Sequence, residues 1–194
     1  MRRTILILAI LGLVWIGYLA WPIYNLFVLI RAVETRDVDA VTRHVYFDAV
    51  RISLANQIAD AYVRRTGVPL NPVVRNIATA TLGFADPVLQ KLISPDALSE
   101  LLTVGWPVTV LPDGAPPGTV GITTNTIGTI WQIFGDSEYG FGRFEVSAPA
   151  ALPRPQRFHL EFRLLQWRWR MVSVILPENI QNLLADKLVK VRRK

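Results

Sequence analysis

The sequence contains no cysteine, and among its 194 residues there are only two histidines and two methionines. The absence of cysteine excludes a disulfide framework, a cysteine-ligated zinc site, covalent haem attachment and a lipid anchor on cysteine. Charged residues are also few, at 19%, whereas apolar residues make up 51%, and this balance excludes a disordered chain. The composition therefore indicates a folded domain together with a strongly apolar segment.

The longest stretch without a charged residue is Thr4–Ile30, which lies between Arg2 and Arg3 on one side and Arg31 on the other. About 20 apolar residues are enough to cross the hydrocarbon core of a bilayer. The second half of the stretch carries aromatic residues of the kind that favour a membrane surface: Trp15, Tyr18, Trp21 and Tyr24. We therefore predict a single transmembrane helix that spans the membrane at about residues 4–20.

A cleaved signal peptide is the main alternative, because it has the same basic start and apolar run. Its cleavage site needs small residues at two positions separated by one residue. Ala20 is the small residue nearest to a suitable site, but Tyr18 stands two positions before it. The sequence therefore favours an uncleaved signal anchor over a signal peptide.

Basic residues on the two flanks of the apolar segment bear on its orientation. Arg2 and Arg3 favour a cytoplasmic N-terminus, although Arg31, Arg36 and Arg43 lie on the opposite flank. We expect a single-pass protein of the bacterial inner (cytoplasmic) membrane, with the soluble domain in the periplasm.

We divide the chain into an anchor at residues 1–30 and a single domain at residues 31–194, whose first part up to residue 110 is helical. Asp37 is placed to cap a helix over Val38–His44. Asp48 is placed to cap the next helix. In that second helix, apolar residues recur at helical spacing: Val50, Leu54, Ile58, Ala61 and Tyr62.

Two more helix starts and a loop complete this helical part. Asn71-Pro72 opens a predicted short helix, and Ser94 followed by Pro95 opens another. The segment 111–119 contains three prolines and two glycines, so we predict an exposed loop there that divides the domain internally.

The last part of the chain, residues 120–194, is predicted to form a sheet and a terminal helix. Strand-forming residues dominate over 119–134 and 139–148. The alternation of residues 157–164, followed by residues 167–176, predicts an antiparallel hairpin. The expected fold is α+β, with helices packed on a curved antiparallel sheet of about four strands, as in rolls of the nuclear-transport-factor-2 or cystatin type.

Two segments resemble a bacterial family, domain-of-unknown-function family 2939. Residues 21–58 are similar to the family's membrane exit, to its A-x-x-x-x-D pattern and to its V-D-F-x-x-x-R-x-S-L-x-x-Q pattern. The matching residues are Ala32, Asp37, Val45, Phe47, Arg51, Ser53, Leu54 and Gln57. Ile93–Leu98 resembles a later helix start of the family, and Tyr46 stands where the family pattern has aspartate. The resemblance implies a single-pass, membrane-anchored protein and brings no activity with it.

A weaker resemblance, at the level of the fold, connects the Trp-Arg-Trp-Arg-Met-Val segment at 167–172 with the closing strands of nuclear-transport-factor-2-like domains. Some proteins of that fold hold a ligand in a hydrophobic cone-shaped pocket. The residues that would line such a pocket here are Tyr139, Phe144, Trp167 and Trp169. A small-molecule binding protein or an enzyme, with His159 or Asp136 in the pocket, is therefore the alternative function.

Catalytic and metal-binding patterns are otherwise weak. His44 and His159 lie in different halves of the domain, without a nucleophile motif near either. Asp37 and Asp39 are explained by their positions at a helix start, and Gly140-Phe141-Gly142 is typical of a bend in a strand. We expect no catalytic site, no metal and no cofactor.

Charge is unevenly distributed, and it suggests the partners. Residues 143–194 hold 11 Lys or Arg against 4 acids, whereas residues 31–142 hold 8 against 11. A basic face on a tethered domain suits anionic lipid or an acidic partner protein, while nucleic acid is disfavoured because no motif for it is present. The candidate contacts lie on the terminal helix: Lys187, Lys190, Arg192, Arg193 and Lys194. The favoured function is a non-enzymatic binding or accessory module for a membrane protein complex or anionic lipid.

Overall fold

The computed structural model describes residues 2–66, 94–109, 111, 114–115 and 119–192. The helices are α1 (Arg2–Glu34), α2 (Val38–His44), α3 (Phe47–Thr66), α4 (Pro95–Val104), α5 (Ile130–Gly135) and α6 (Glu178–Arg192). The strands are β1 (Ser137–Gly140), β2 (Arg143–Ala148), β3 (Phe158–Leu165) and β4 (Arg168–Ile175), with a 3-10 turn at Arg154–Gln156. All neighbouring strands are antiparallel, in the order β1-β2-β3-β4. The predicted α+β class, with an N-terminal apolar helix and a four-stranded antiparallel sheet, is confirmed.

One face of the sheet carries the core. Phe144, Val146 and Ala148 alternate along β2 with polar residues and are buried, as predicted. Phe162 lies opposite Phe144 on β3, and their rings are 6.0 Å apart between centroids. The second half of α1 contributes to the same core through a buried stripe: Ile23, Leu26, Leu29, Ile30, Ala32 and Val33. The predicted domain boundary at residue 30 falls inside this helix and stays a prediction.

The junction between α1 and α2 is held by backbone hydrogen bonds. Arg36 has φ 54°, and the N–H of Asp37 donates to the carbonyl of Ala32 at 2.9 Å, which closes the end of α1. The carboxylate of Asp37 then accepts from the N–H of Ala40 at 2.9 Å and caps α2. The predicted helix Val38–His44 and its cap are therefore confirmed.

The start of α3 differs from the prediction. Asp48 does not cap this helix, because α3 already begins at Phe47 and Asp48 lies in its first turn, 3.7 Å from Arg51. Before the helix, Val45 is extended and bridges to Met171 on β4, and the N–H of Tyr46 donates to the carbonyl of Met171 at 2.8 Å. This pairing with β4, which sequence spacing does not reveal, sets where the helix begins.

Residues 119–134 do not form strands, so that prediction was wrong. Residues 119–129 have no regular secondary structure, and the helix α5 follows them. Thr129 and Gln132 form a capping box, in which the N–H of Thr129 donates to Oε1 of Gln132 at 2.8 Å. From Thr129 onward, the local hydrogen bonds of the capping box therefore favour a helix over the strand that Thr and Ile would prefer.

Two further predictions concern parts of the chain that are described only in part. Ser94 caps α4, with its hydroxyl accepting from the N–H of Ala97 at 3.1 Å, as predicted. The helix predicted after Asn71 lies outside the described residues. Most of the predicted loop 111–119 does as well, although Leu111 is described and is buried.

Candidate functional site

The helix α1 has two chemically different halves. Every residue from Ile5 to Gly17 is exposed although most of them are apolar, whereas the residues from Pro22 to Val33 supply a buried stripe of the core. α1 is long and apolar enough to cross a membrane. Among the described residues, no other helix meets both conditions. A signal sequence near an N-terminus passes the same test.

Tyr18 lies at the boundary between these two halves and contacts the sheet. Its phenol oxygen accepts a hydrogen bond from the backbone N–H of Gly142 at 2.9 Å. Its ring lies 6.4 Å from the ring of Trp169 and 6.1 Å from that of Trp15, measured between centroids. The exposed half of α1 therefore leaves the domain next to the turns of the sheet.

Two strand turns meet at this point, and we call them together the hairpin ends: Phe141 and Gly142 between β1 and β2, and Gln166 and Trp167 between β3 and β4. Gly142 connects the two turns, because its carbonyl accepts from the N–H of Leu164 at 2.9 Å. Each turn presents one aromatic side chain to solvent, since Phe141 is 102% exposed and Trp167 is 80% exposed.

The backbone of the second turn explains why Trp167 points outward. Gln166 has φ 50° and Trp167 has φ 61°, as in the two-residue turns that match the twist of a hairpin. Trp167 therefore does not continue the alternation of β4, and its ring does not join that of Trp169, which is 2% exposed. Trp167 was predicted together with Trp169 to line a pocket, whereas it lies exposed in the turn before β4.

The other three predicted pocket residues lie within or against the core. Phe144 and Trp169 are buried, and Tyr139 packs against the core with its ring 5.0 Å from that of Phe144. Phe134 stacks on the other side of Tyr139 at 5.8 Å. Phe134, Tyr139, Phe144 and Phe162 therefore form a continuous run of ring contacts. Burial also raises the pKa of the Tyr139 phenol to about 12, and its oxygen has no hydrogen-bond partner among the described residues.

Arginines and glutamates form two rows on the outer face of the sheet. Arg143, Arg163 and Arg170 are aligned across β2, β3 and β4. The next row is acidic: Glu138, Glu145 and Glu161. Arg143 contacts both neighbouring carboxylates, at 2.9 Å from Glu145 and 3.1 Å from Glu161. The row of arginines is nearer to the hairpin ends, and Arg168, directly after Trp167, adds an exposed cation there.

The histidines and acids with potential for chemistry lie apart. Nδ1 of His44 is 2.8 Å from the carbonyl oxygen of Ala40, one turn earlier in α2, and donates to it. His159 lies on the outer face of β3, with Nδ1 3.6 Å from Glu145. Asp136 accepts from Arg157 at 2.7 Å. Within the described residues, no group of three or more histidines and acids is placed to bind a metal ion.

An open groove of about 580 Å³ runs between α3 and the outer face of β3 and β4. It is lined by Tyr46, Ile52, Asn56, Asp60, Arg163 and Ile175, among others. None of the predicted pocket residues contributes to this groove. A second groove lies beside the start of α6, where Pro177 and Ile180 meet the 3-10 turn.

The residues behind the family resemblance hold the fold together. Nε2 of Gln57 donates to the carbonyl of Val174 at 2.8 Å, and its Oε1 accepts from the N–H of Leu176 at 2.9 Å. Ser53 contacts Ser173 through their hydroxyls at 2.6 Å. This part of the motif therefore joins α3 to the open edge of β4, in a structural role that sequence spacing alone did not reveal.

The predicted contacts on the terminal helix lie mostly outside the described part of the chain. The backbone of α6 is described through Arg192, but the side chains of Lys187, Lys190 and Arg192 are not, and residues 193–194 lie outside the described residues. The first half of α6 packs on the domain through buried Ile180 and Leu184.

Residues 11–101 match the model of a family described as "Protein of unknown function (DUF2939)". This match confirms the resemblance to the family seen in the sequence, and it covers α1 from residue 11, all of α2 and α3 and most of α4, but none of the sheet. No curated protein and no solved structure matches the chain. The likeness to nuclear-transport-factor-2-like domains is not confirmed.

Proposed function

Residues 11–101 of the chain match the DUF2939 family, and from this premise we propose that the protein is a single-pass membrane protein with a non-enzymatic function. Its α+β domain serves as a binding or accessory module. The proposed partners are a membrane protein complex or an anionic lipid surface. The proposed location is the bacterial inner membrane, with the domain in the periplasm.

The observation that carries this proposal is the continuity of α1. One helix of 33 residues is apolar and exposed in its first half, and its second half packs in the core. A soluble protein would bury such a stretch, because exposed apolar surface of this size is costly in water. Cleavage near Ala20 would cut this helix and remove Tyr18 from its contact with Gly142. These features favour an uncleaved anchor over a signal sequence.

A non-enzymatic role is supported by the roles of the polar residues. Gln57, Ser53 and Asp37 make hydrogen bonds that maintain the fold. The side chains of Phe144 and Trp169 are buried in the core, and neither lines the two grooves described above. The family is described as being of unknown function, so it assigns no activity to the chain.

The test of the anchor is membrane retention of the full chain. We expect the protein to stay in the membrane fraction after an alkaline wash and to keep its full mass of 21.8 kDa. Leu11→Arg places a charge in the middle of the span, which costs roughly 3 kcal/mol on insertion scales, and this variant is expected to lose retention. Leu183→Arg, at an exposed position of α6, is the matched control and is expected to remain in the membrane. A soluble product that lacks the first residues would contradict the anchor.

The test of the partner is crosslinking in native membranes followed by mass spectrometry. Replacing Lys187, Lys190, Arg192, Arg193 and Lys194 by glutamine should weaken crosslinks to acidic partners, or binding to vesicles that contain phosphatidylglycerol. Unchanged crosslinks and unchanged vesicle binding would remove the C-terminal basic residues from the proposal. Turnover of a small molecule by the purified protein, abolished by substitution of His159 or Asp136, would contradict a non-enzymatic role.

A further inference from the structure

The exposed part of α1 is too short to cross the hydrocarbon core of a bilayer. Residues 2–17 rise about 24 Å along a helix, whereas the hydrocarbon core is about 30 Å thick. Measured from Arg3, the helix reaches about 27 Å at Trp21 and about 32 Å at Tyr24. The far surface of the hydrocarbon therefore falls between Trp21 and Tyr24, on the domain side of Tyr18.

The hairpin ends lie at the level of Tyr18. The hydrogen bond from Gly142 to Tyr18 fixes the first turn beside the helix, and the contact between Leu164 and Gly142 fixes the second turn to the first. If residues 18–23 complete the membrane span, Tyr18 lies about 7 Å below the hydrocarbon surface, and the two turns beside it are carried into the interfacial layer of the bilayer. This placement follows from the contacts and from the helix rise, and it rests on the proposed membrane anchor.

The side chains that reach this level suit a bilayer surface. Phe141 and Trp167 are the exposed aromatics of the two turns, and aromatic side chains favour the interface between lipid and water. Trp21 and Tyr24 add two exposed aromatic rings of α1 near the same level. The first charged residue of α1 after the anchor is Arg31, so this depth buries no charge of the helix.

Cations follow the aromatic residues directly. Arg143 comes after the first turn and Arg168 after the second, and both are exposed. An aromatic tip followed by an arginine matches the layers of a bilayer, in which the hydrocarbon is followed by the anionic headgroups. The acidic row lies further along the strands, where it is farther from the lipid.

We propose that Phe141 and Trp167 insert into the interface of an anionic bilayer beside α1, so that the domain contacts the membrane at a second site and is held in one orientation. Arg143 and Arg168 then lie among the headgroups. The occupant of this surface is lipid, and a partner protein at the same residues is an outcome that the test distinguishes.

The absence of cysteine allows a direct test with single-cysteine variants of the full chain. Each variant carries one nitroxide label and is reconstituted in vesicles of phosphatidylcholine with a minority of phosphatidylglycerol. The variants are Leu11→Cys in the span, Phe141→Cys and Trp167→Cys at the hairpin ends, and Asp39→Cys and Ile175→Cys as controls away from the membrane. Ile175 is the matched control, because it lies at the opposite end of β4 from Arg168, about 23 Å along the strand. The depth of each label is measured by the relative access of oxygen and of a water-soluble nickel chelate.

We expect Leu11→Cys to report hydrocarbon, both hairpin-end variants to report the interface, and both controls to report water. Labels at 141 and 167 that are as accessible to the nickel chelate as those of the controls, with the label at 11 buried, would overturn this inference and leave the anchor intact. A water-exposed label at 11 would overturn the anchor itself, and the inference with it. Labels at 141 and 167 that are shielded from both reagents would indicate protein contact, such as a second copy of the chain, and would also overturn the lipid assignment.

Discussion

The phenol of Tyr18 and the backbone of Gly142 are joined by a hydrogen bond of 2.9 Å between residues 124 positions apart in the chain. The contact connects the apolar N-terminal helix to the turn between β1 and β2. The ring of Tyr18 also lies against Trp169, so the same side chain makes a polar and an apolar contact. The direction in which α1 leaves the domain is therefore set by the sheet.

The first prediction tests this contact. Tyr18→Phe keeps the ring against Trp169 and removes the acceptor of the Gly142 N–H, which should lower the free energy of unfolding by about 1 kcal/mol. Tyr24→Phe, at an exposed position of the same helix, should change it by less than about 0.5 kcal/mol. Thermal unfolding of the full chain in detergent micelles, followed by near-ultraviolet circular dichroism, measures both. Equal losses in the two variants would show that the hydrogen bond contributes no stability.

A second prediction concerns the edge of β4. Gln57→Ala removes two hydrogen bonds to the backbone of Val174 and Leu176 and leaves both groups without this partner. We expect a loss of about 2 kcal/mol, because partly buried backbone groups without partners are costly. Gln156→Ala, an exposed glutamine in the 3-10 turn, is the matched control and should be nearly neutral.

The assay for Gln57→Ala is urea unfolding of the full chain in micelles. The same variant should also increase aggregation on heating, because an uncovered strand edge is free to pair with other chains. A Gln57→Ala protein as stable as Gln156→Ala would show that the motif glutamine has a role other than joining α3 to the sheet.

The elements that the sequence predicts correctly are those with a local signal. Asp37 caps α2 through a carboxylate three residues before the N–H that it binds, so the helix Val38–His44 is readable from spacing alone. The alternation of Phe144, Val146 and Ala148 along β2 is also a local pattern, and it correctly predicts that all three side chains point to the core face of the sheet. The strand prediction for residues 119–134 was wrong, although the capping box of Thr129 and Gln132, which starts the helix α5, is also visible in the sequence.

The candidate site is readable only in part. Its aromatic residues are visible in the sequence, but the outward direction of Trp167 depends on the positive φ of Gln166 and Trp167. The closeness of Phe141 to the membrane anchor depends on the contact between Tyr18 and Gly142, which are far apart in the sequence. Contacts of that separation arise from packing of the whole domain and leave no periodic pattern in the chain.

A third prediction concerns the close approach of residues 119–129 to α4. A Cβ added at Gly121 would lie 1.9 Å from the carbonyl oxygen of Thr103, so Gly121→Ala must displace backbone. The hydrogen bond from the Ile122 N–H to the Leu102 carbonyl, 2.6 Å long, would be disturbed with it. We expect a loss of more than about 2 kcal/mol. At Gly135 an added Cβ meets nothing within 4 Å, so Gly135→Ala should be neutral or slightly stabilising in urea unfolding.

Gly121→Ala carries a direct check on its cause. An added Cβ at position 121 would clash with the backbone carbonyl oxygen of residue 103. Glycine is therefore required at position 121 whichever side chain residue 103 carries. Thr103→Ala in the same background should therefore not restore stability. Restoration would place the clash on the side chain and would contradict the geometry.

The last prediction follows from the pKa of Tyr139. Burial raises this pKa to about 12, above the value of about 10 in an unfolded chain. The folded protein therefore keeps a proton that the unfolded chain releases above about pH 10. Its stabilising contribution is complete below that pH and decreases as the pH rises from about 10 to about 12.

Tyr139→Phe removes a phenol oxygen that has no hydrogen-bond partner among the described residues and keeps the ring between Phe134 and Phe144. We expect unchanged or slightly higher stability at neutral pH, because no hydrogen bond is lost and a buried polar atom is removed. Above about pH 10 the variant should lose less stability than the parent chain, whereas Tyr24→Phe should follow the parent. Urea unfolding at a series of pH values measures the difference. Parallel curves for Tyr139→Phe and the parent would mean that the phenol ionises equally easily in the folded and unfolded chains, and that its burial between the two rings does not control its protonation.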